Sequence, residues 1–97
     1  MPKYRLTESA DKDLTDIYAY TYGEFGERQA DTYFQSLEEC FGRLAEAPQL
    51  GRDASHLRAG YRLFVHKRHS VYYQPSRTGI LVVRVLGPGM MPERNLP

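Results

Sequence analysis

The chain has 97 residues, 41% hydrophobic and 26% charged, which suits one soluble globular domain, 1–97, with a single modest core. Thirteen Lys and Arg against 12 Asp and Glu leave a formal net charge of +1, too small by itself to argue for any class of partner. No apolar run approaches the roughly 18–20 residues that span a bilayer. The opening MPKYRLTESADKDL is polar rather than signal-like, and the single cysteine, Cys40, excludes an internal disulfide and suits a reducing cytoplasm.

Residues 2–6, PKYRL, read as a short strand with Tyr4 and Leu6 on one side. Thr7 has the chemistry of a helix N-cap, and Glu8, Asp11 and Asp13 put negative charge near the positive end of the helix dipole. Ala10, Leu14, Ile17, Tyr18 and Thr21 recur at three- and four-residue spacing, which predicts a helix to about Tyr22 with one apolar face. The YGEFG segment at 22–26 predicts a break. A second helix is expected from near Glu27, with Ala30, Tyr33, Phe34, Leu37, Phe41, Leu44 and Ala45 as its apolar stripe, ended by Pro48 at or before Ala47. Cys40, beside that stripe and without a basic neighbour in sequence, reads as a small buried hydrophobe rather than a nucleophile. So short a link makes the two helices an antiparallel hairpin.

Residues 48–60 are a Gly-, Pro- and polar-rich loop. Three strand-like runs follow: YRLFVH (61–66), SVYYQ (70–74) and ILVVRVL (80–86). Their short connections make neighbours antiparallel. The fold class is therefore α+β in the order β-α-α-β-β-β, a helical hairpin packed on one face of a mainly antiparallel sheet. On the last strand Leu81, Val83 and Val85 are expected to face the helices. Arg84 then points the other way, as a snorkelling surface residue or as part of a site. Arg62, His66 and Phe64 share a side whose relation to Arg84 depends on register. The sheet half is basic: residues 52–94 carry Arg52, Arg58, Arg62, Lys67, Arg68, Arg77, Arg84 and Arg94 against Asp53 and Glu93.

The run His66-Lys67-Arg68-His69 reads as a solvated basic turn or as a surface for an anionic partner. It lacks the carboxylate or cysteine that would complete a metal ligand set, so no metal and no cofactor are expected. Tyr61, Tyr72 and Tyr73 beside Arg62 and Arg84 could stack on nucleotide bases, but tyrosines are also ordinary strand residues that fill a sheet face. No phosphate-cradling loop or serine-centred triad is present.

Spread along the chain are the Pro48, Gly51 and Arg52 that close the helical half, then Arg58, Gly60, Tyr61, Arg62, His69, Val71 and Tyr73, and finally Arg84, Val85, Leu86, Met90 and Leu96. In this order the chain resembles the ParE branch of the RelE/ParE toxin superfamily. It departs from the family at Gly87, where relatives usually have His. The resemblance implies a cytoplasmic toxin of a type II toxin–antitoxin pair, not an enzyme, that inhibits DNA gyrase by trapping the cleaved DNA–enzyme complex. A ParD-like antitoxin would neutralise it through an amphipathic helix, in a heterotetramer or larger assembly, with nucleic acid contacted directly only within that complex. The antitoxin is expected on Tyr18, Tyr22, Tyr33, Phe34, Arg58, Arg62 and Arg84, because the aromatics exceed what a narrow helical stripe buries and the arginines suit an acidic segment. The target is expected on His66, Lys67, Arg68, His69, Met90 and Met91. Two alternatives stand beside this reading. One is a RelE-like ribosome-dependent mRNA endonuclease using Arg62, His66, His69 and Arg84, which would lack an acid for the leaving oxygen. The other, which Gly87 keeps open, is a non-toxic relic that only binds antitoxin.

Overall fold

A computed structural model describes residues 3–97; Pro2, the first residue of the predicted opening strand, lies outside them. Strand β1 (Lys3–Leu6) runs into Thr7, whose Oγ1 accepts from Ala10 N at 3.0 Å and donates to the Val83 carbonyl at 2.7 Å. One side chain thus caps helix α1 (Glu8–Phe25) and ties its start to the far end of the chain. Helix α1 continues three residues past the expected end at Tyr22. Gly23 stays helical, at a cost of about 1 kcal/mol relative to alanine, and the break falls on Gly26 alone, where φ is 92°. Helix α2 (Glu27–Glu46) ends before Pro48 as predicted.

The sheet has five strands in the order β1-β5-β4-β3-β2, where β2 is Arg52–Asp53, β3 Arg62–His66, β4 His69–Ser76 and β5 Gly79–Leu86. Strand β1 is parallel to β5, and the other pairs are antiparallel. Three elements are too short for sequence periodicity to announce: a 3-10 turn at Pro48–Leu50, the two-residue β2 and a last turn of helix, α3 (Pro92–Asn95). No helix among the described residues is long and apolar enough to cross a membrane.

The core lies between the hairpin and the sheet and is built from Leu14, Leu37, Phe41, Leu44, Val71, Tyr73, Ile80, Val82 and Val85, among others. Cys40 is buried at its edge, and burial pushes its thiol pKa up, which keeps it an inert thiol. The expected face of β5 needs correcting. Tyr72 pairs with Arg84 but Tyr73 pairs with Val82, so Val83 is an extra residue in a β-bulge. Ile80 and Val82 therefore face the helices before the bulge, and Val85 after it, rather than the simple alternation Leu81, Val83, Val85.

Tyr73 holds the loop after α2 to the sheet. Fully buried, its hydroxyl accepts from Gly51 N at 2.8 Å and donates to the Pro48 carbonyl. A Cβ at Gly51 would collide with that hydroxyl, so this position admits only glycine. Tyr73→Phe should cost about 1–3 kcal/mol by leaving both backbone groups unsatisfied in the interior. Urea unfolding reads it, and a loss under about 0.5 kcal/mol would mean the hydroxyl is not what holds the loop.

The second face of the sheet is also covered. Tyr72, Val83 and Leu86 are each less than 5% exposed. The segment after β5 folds back there, held by Arg84 Nη1 donating to the Asn95 carbonyl and Arg58 Nε donating to that of Pro97 at 2.7 Å. Buried tyrosines 72 and 73 have no face left to stack on bases.

Candidate functional site

Past the first turn of α1 the sheet edge is bare, because β1 pairs with β5 only as far as Leu6 opposite Val82. Asp13 fills the gap. Its carboxylate accepts from Val85 N at 2.9 Å and receives Arg84 in two bonds, Nε at 2.7 Å and Nη2 at 2.9 Å. Asp13 is thus the edge cap of β5 and the counter-ion of a half-buried arginine, not merely a charge near the helix start.

Above this pair, α1 stands away from the end of β5 and leaves a groove of about 610 Å³. Ile17, Tyr20 and Phe25 form one wall, Tyr33 and His69 another, and the turn carrying Gly87 and Met90 closes the end. Tyr20 and Phe25 remain 63% and 58% exposed although they flank a filled core. Surface of this kind, apolar and contiguous, marks a contact site. Gly87 shapes it: its backbone is unstrained, and a Cβ there would meet the His69 ring at 3.7 Å and the Met90 sulfur at 4.0 Å, both ordinary contacts. Glycine therefore leaves open a place that a side chain would occupy.

The β3–β4 hairpin borders this groove. His66 pairs with His69 across a two-residue turn, Lys67-Arg68, and both rings point at α2. The Tyr33 hydroxyl and His69 Nδ1 share a hydrogen bond of 2.6 Å, and Ser36 Oγ and His66 Nε2 one of 3.0 Å. Burial, reinforced by Lys67 and Arg43 around His66 and by Arg68 and the other ring around His69, lowers both pKa values from the ordinary 6.5. The unfolded chain therefore binds more protons between the folded values and about pH 6.5. Stability should be complete above that pH and fall as the solution is acidified below it toward the folded values; thermal unfolding across the range reads it. A variant with His66→Gln and His69→Gln should flatten the profile, and an unchanged slope would place the acid sensitivity elsewhere.

The residues singled out from sequence do not form one cluster. Arg62 shares the helix-side face of β3 with Phe64 and His66, but lies about 13 Å from His66 at ~3.3 Å per residue, donating to the Gly51 and Gln49 carbonyls. Arg84 is on the opposite face, held by Asp13 and Asn95. Arg58 is bonded to the Pro97 and Leu57 carbonyls. Among the aromatics, Tyr18 donates to Asp31 at 2.6 Å and meets Phe34 edge-on between the helices, and Tyr33 packs under the histidines. Tyr22, Met90 and Met91 stay exposed, as do Lys67 and Arg68 at the turn. Tyr20 and Phe25 are groove residues that the sequence reading passed over. Tyr20 follows Ile17 by three residues within the predicted helix, and Phe25 joins the same side only because the helix continues through Gly23.

The family described as ParE toxin of type II toxin-antitoxin system, parDE, matches residues 4–92. The chain is 35% identical over 95 residues to Toxin ParE1 of Mycobacterium tuberculosis H37Rv, covering 97% of each. It is 37% identical over 98 residues to Toxin ParE1 of Caulobacter vibrioides, covering 99% of each. A solved structure described as the chromosomal ParDE TA system from P. aeruginosa superposes with a TM-score of 0.75 at 20% identity, over 90% of this chain and 96% of that one, and shares its fold.

Proposed function

The chain belongs to the ParE toxin family of type II toxin–antitoxin systems, and from that membership we propose that it poisons DNA gyrase in the cytoplasm and is held inactive by a ParD-like antitoxin. The observation that carries the antitoxin half is the groove between α1 and the end of β5, with Tyr20, Phe25 and Met90 exposed around it. An amphipathic helix laid there would bury these side chains, with Arg68 on the rim for an acidic residue of the partner. Arg58, Arg62 and Arg84 are engaged with the protein's own carbonyls and carboxylate, so in this reading they support the contact surface rather than meet the antitoxin.

Gyrase poisoning is favoured over RNA cleavage by placement. Cleavage requires base, acid and cations around one phosphate, whereas Arg62, Arg84 and the two histidines are divided between two faces and the two ends of β3. The experiment is induction in cells with and without the antitoxin gene. Growth arrest with stalled replication and intact ribosome-bound mRNA supports the proposal. Cut mRNA returns the endonuclease reading, and normal growth without antitoxin returns the inactive binder.

A further inference from the structure

Two hydroxyl groups of α2 fix which ring nitrogen of each hairpin histidine carries its proton. The Ser36 hydroxyl donates its single proton to the Tyr33 carbonyl at 2.7 Å, so the bond with His66 Nε2 is donated by the ring. At His69 the order is reversed. A phenol is a stronger donor than a neutral imidazole N–H, and the Arg68 backbone N–H approaches the same tyrosine oxygen as a donor. Tyr33 therefore donates to His69 Nδ1, at 2.6 Å, and the neutral ring carries its proton on Nε2. That N–H has no partner among the described residues. It faces the groove beside Gly87, where a Cβ would come within 3.7 Å of it. Two further donors lie at this end of the groove. Gly87 N–H is bonded only to the Met90 sulfur, a weak acceptor, at 3.4 Å, in a turn that Met90 N closes on the Gly87 carbonyl at 3.2 Å. The Arg68 guanidinium lines the same groove and forms no hydrogen bond or salt bridge among the described residues. The nearby carboxylates are already taken, Asp13 by Arg84 and Val85 N, and Asp16 by Lys12.

We infer that the notch beside Gly87 receives one carboxylate of the antitoxin helix, an Asp or Glu side chain that accepts from His69 Nε2 and Arg68. An ionised carboxylate accepts at both oxygens and donates nothing, which suits a wall made of donors. A side chain at position 87 would occupy the same space, so its absence leaves room for the partner's. Tyr20 and Phe25, exposed on the facing wall, call for apolar surface around that acid, which a helix supplies and a free anion does not. A helix that brought only apolar side chains here would desolvate the donors without pairing them, and would bind less well. The inference rests on the groove being the antitoxin's seat, and it names the residue chemistry by which this toxin selects its partner.

The test is isothermal titration of purified antitoxin into the toxin and two variants. His69→Phe removes the donor, and Gly87→Leu fills the notch from unstrained backbone. Each should weaken binding about tenfold or more, the usual loss when a hydrogen bond to a charged group is removed. The acidic residues of the antitoxin are then replaced by alanine one at a time. One of them should lose about tenfold against the wild-type toxin and almost nothing against His69→Phe, because the two changes remove the same contact. Acidic substitutions that cost as much against His69→Phe as against the wild type would overturn the proposal. So would a nitrogen-15 spectrum of the free toxin that puts the neutral His69 proton on Nδ1. Tyr20→Ala with Phe25→Ala separates this inference from the reading beneath it. If that pair weakens binding while His69→Phe and Gly87→Leu do not, the notch assignment fails and the groove stands. If none of the three weakens binding, the antitoxin sits elsewhere and both fail.

Discussion

Asp13→Ala should destabilise the protein by about 3–5 kcal/mol, the usual consequence of removing one partner from a desolvated ion pair. The carboxylate receives three bonds at 2.7–2.9 Å, two from Arg84 and one from Val85 N. Alanine would leave a guanidinium without its counter-ion and the edge of β5 without its cap. Arg84 also donates to the Asn95 carbonyl, so the segment covering Tyr72 and Leu86 should loosen with it. Urea unfolding reads the loss, and proteolysis near the carboxyl terminus should reveal the loosening. Replacing both partners with apolar residues, Asp13→Leu with Arg84→Met, should recover much of the stability, because no unpaired charge remains. A loss below about 1 kcal/mol for Asp13→Ala would show that water replaces the pair and that the edge cap is incidental.

The second large effect concerns binding. Tyr20→Ala with Phe25→Ala should weaken the antitoxin complex by about 100-fold or more, since paired aromatic anchors at an interface carry about 2 kcal/mol or more each. The two side chains are more than half exposed, so the free toxin should keep its melting temperature and its action on the target. Isothermal titration with purified antitoxin tests this. Affinity unchanged within about threefold would move the antitoxin off the groove and back toward the arginines at 58 and 62.

The helices were legible because their burial is local. Ala10 and Leu14, then Ala30, Leu37, Phe41 and Leu44, announce themselves by spacing, and Thr7 and Pro48 mark ends. The strands were legible as runs, but their facing was not. A single extra residue at Val83 reverses the parity of β5, and no composition signal announces a bulge. The Asp13–Arg84 pair was hidden for a similar reason: the residues are 71 apart and meet only because β1 stops short of the bulge. At the candidate site, the basic turn stood out in sequence, whereas its seating on Tyr33 and Ser36 is a tertiary fact. Phe25 was hidden because glycine inside a helix is only mildly unfavourable, so that α1 runs through Gly23, and Tyr20 because it flanks the apolar stripe rather than falling within it.

Gyrase poisoning by this ParE-family chain, as proposed, is read directly in one reaction. Antitoxin-free protein is incubated with gyrase, ATP and relaxed plasmid, and the products are scored for supercoils and for linear DNA covalently attached to protein. The expected result is loss of supercoiling and linear DNA that rises with toxin and disappears when antitoxin is added first. Undiminished supercoiling without linear DNA, at toxin in excess over gyrase, would contradict it.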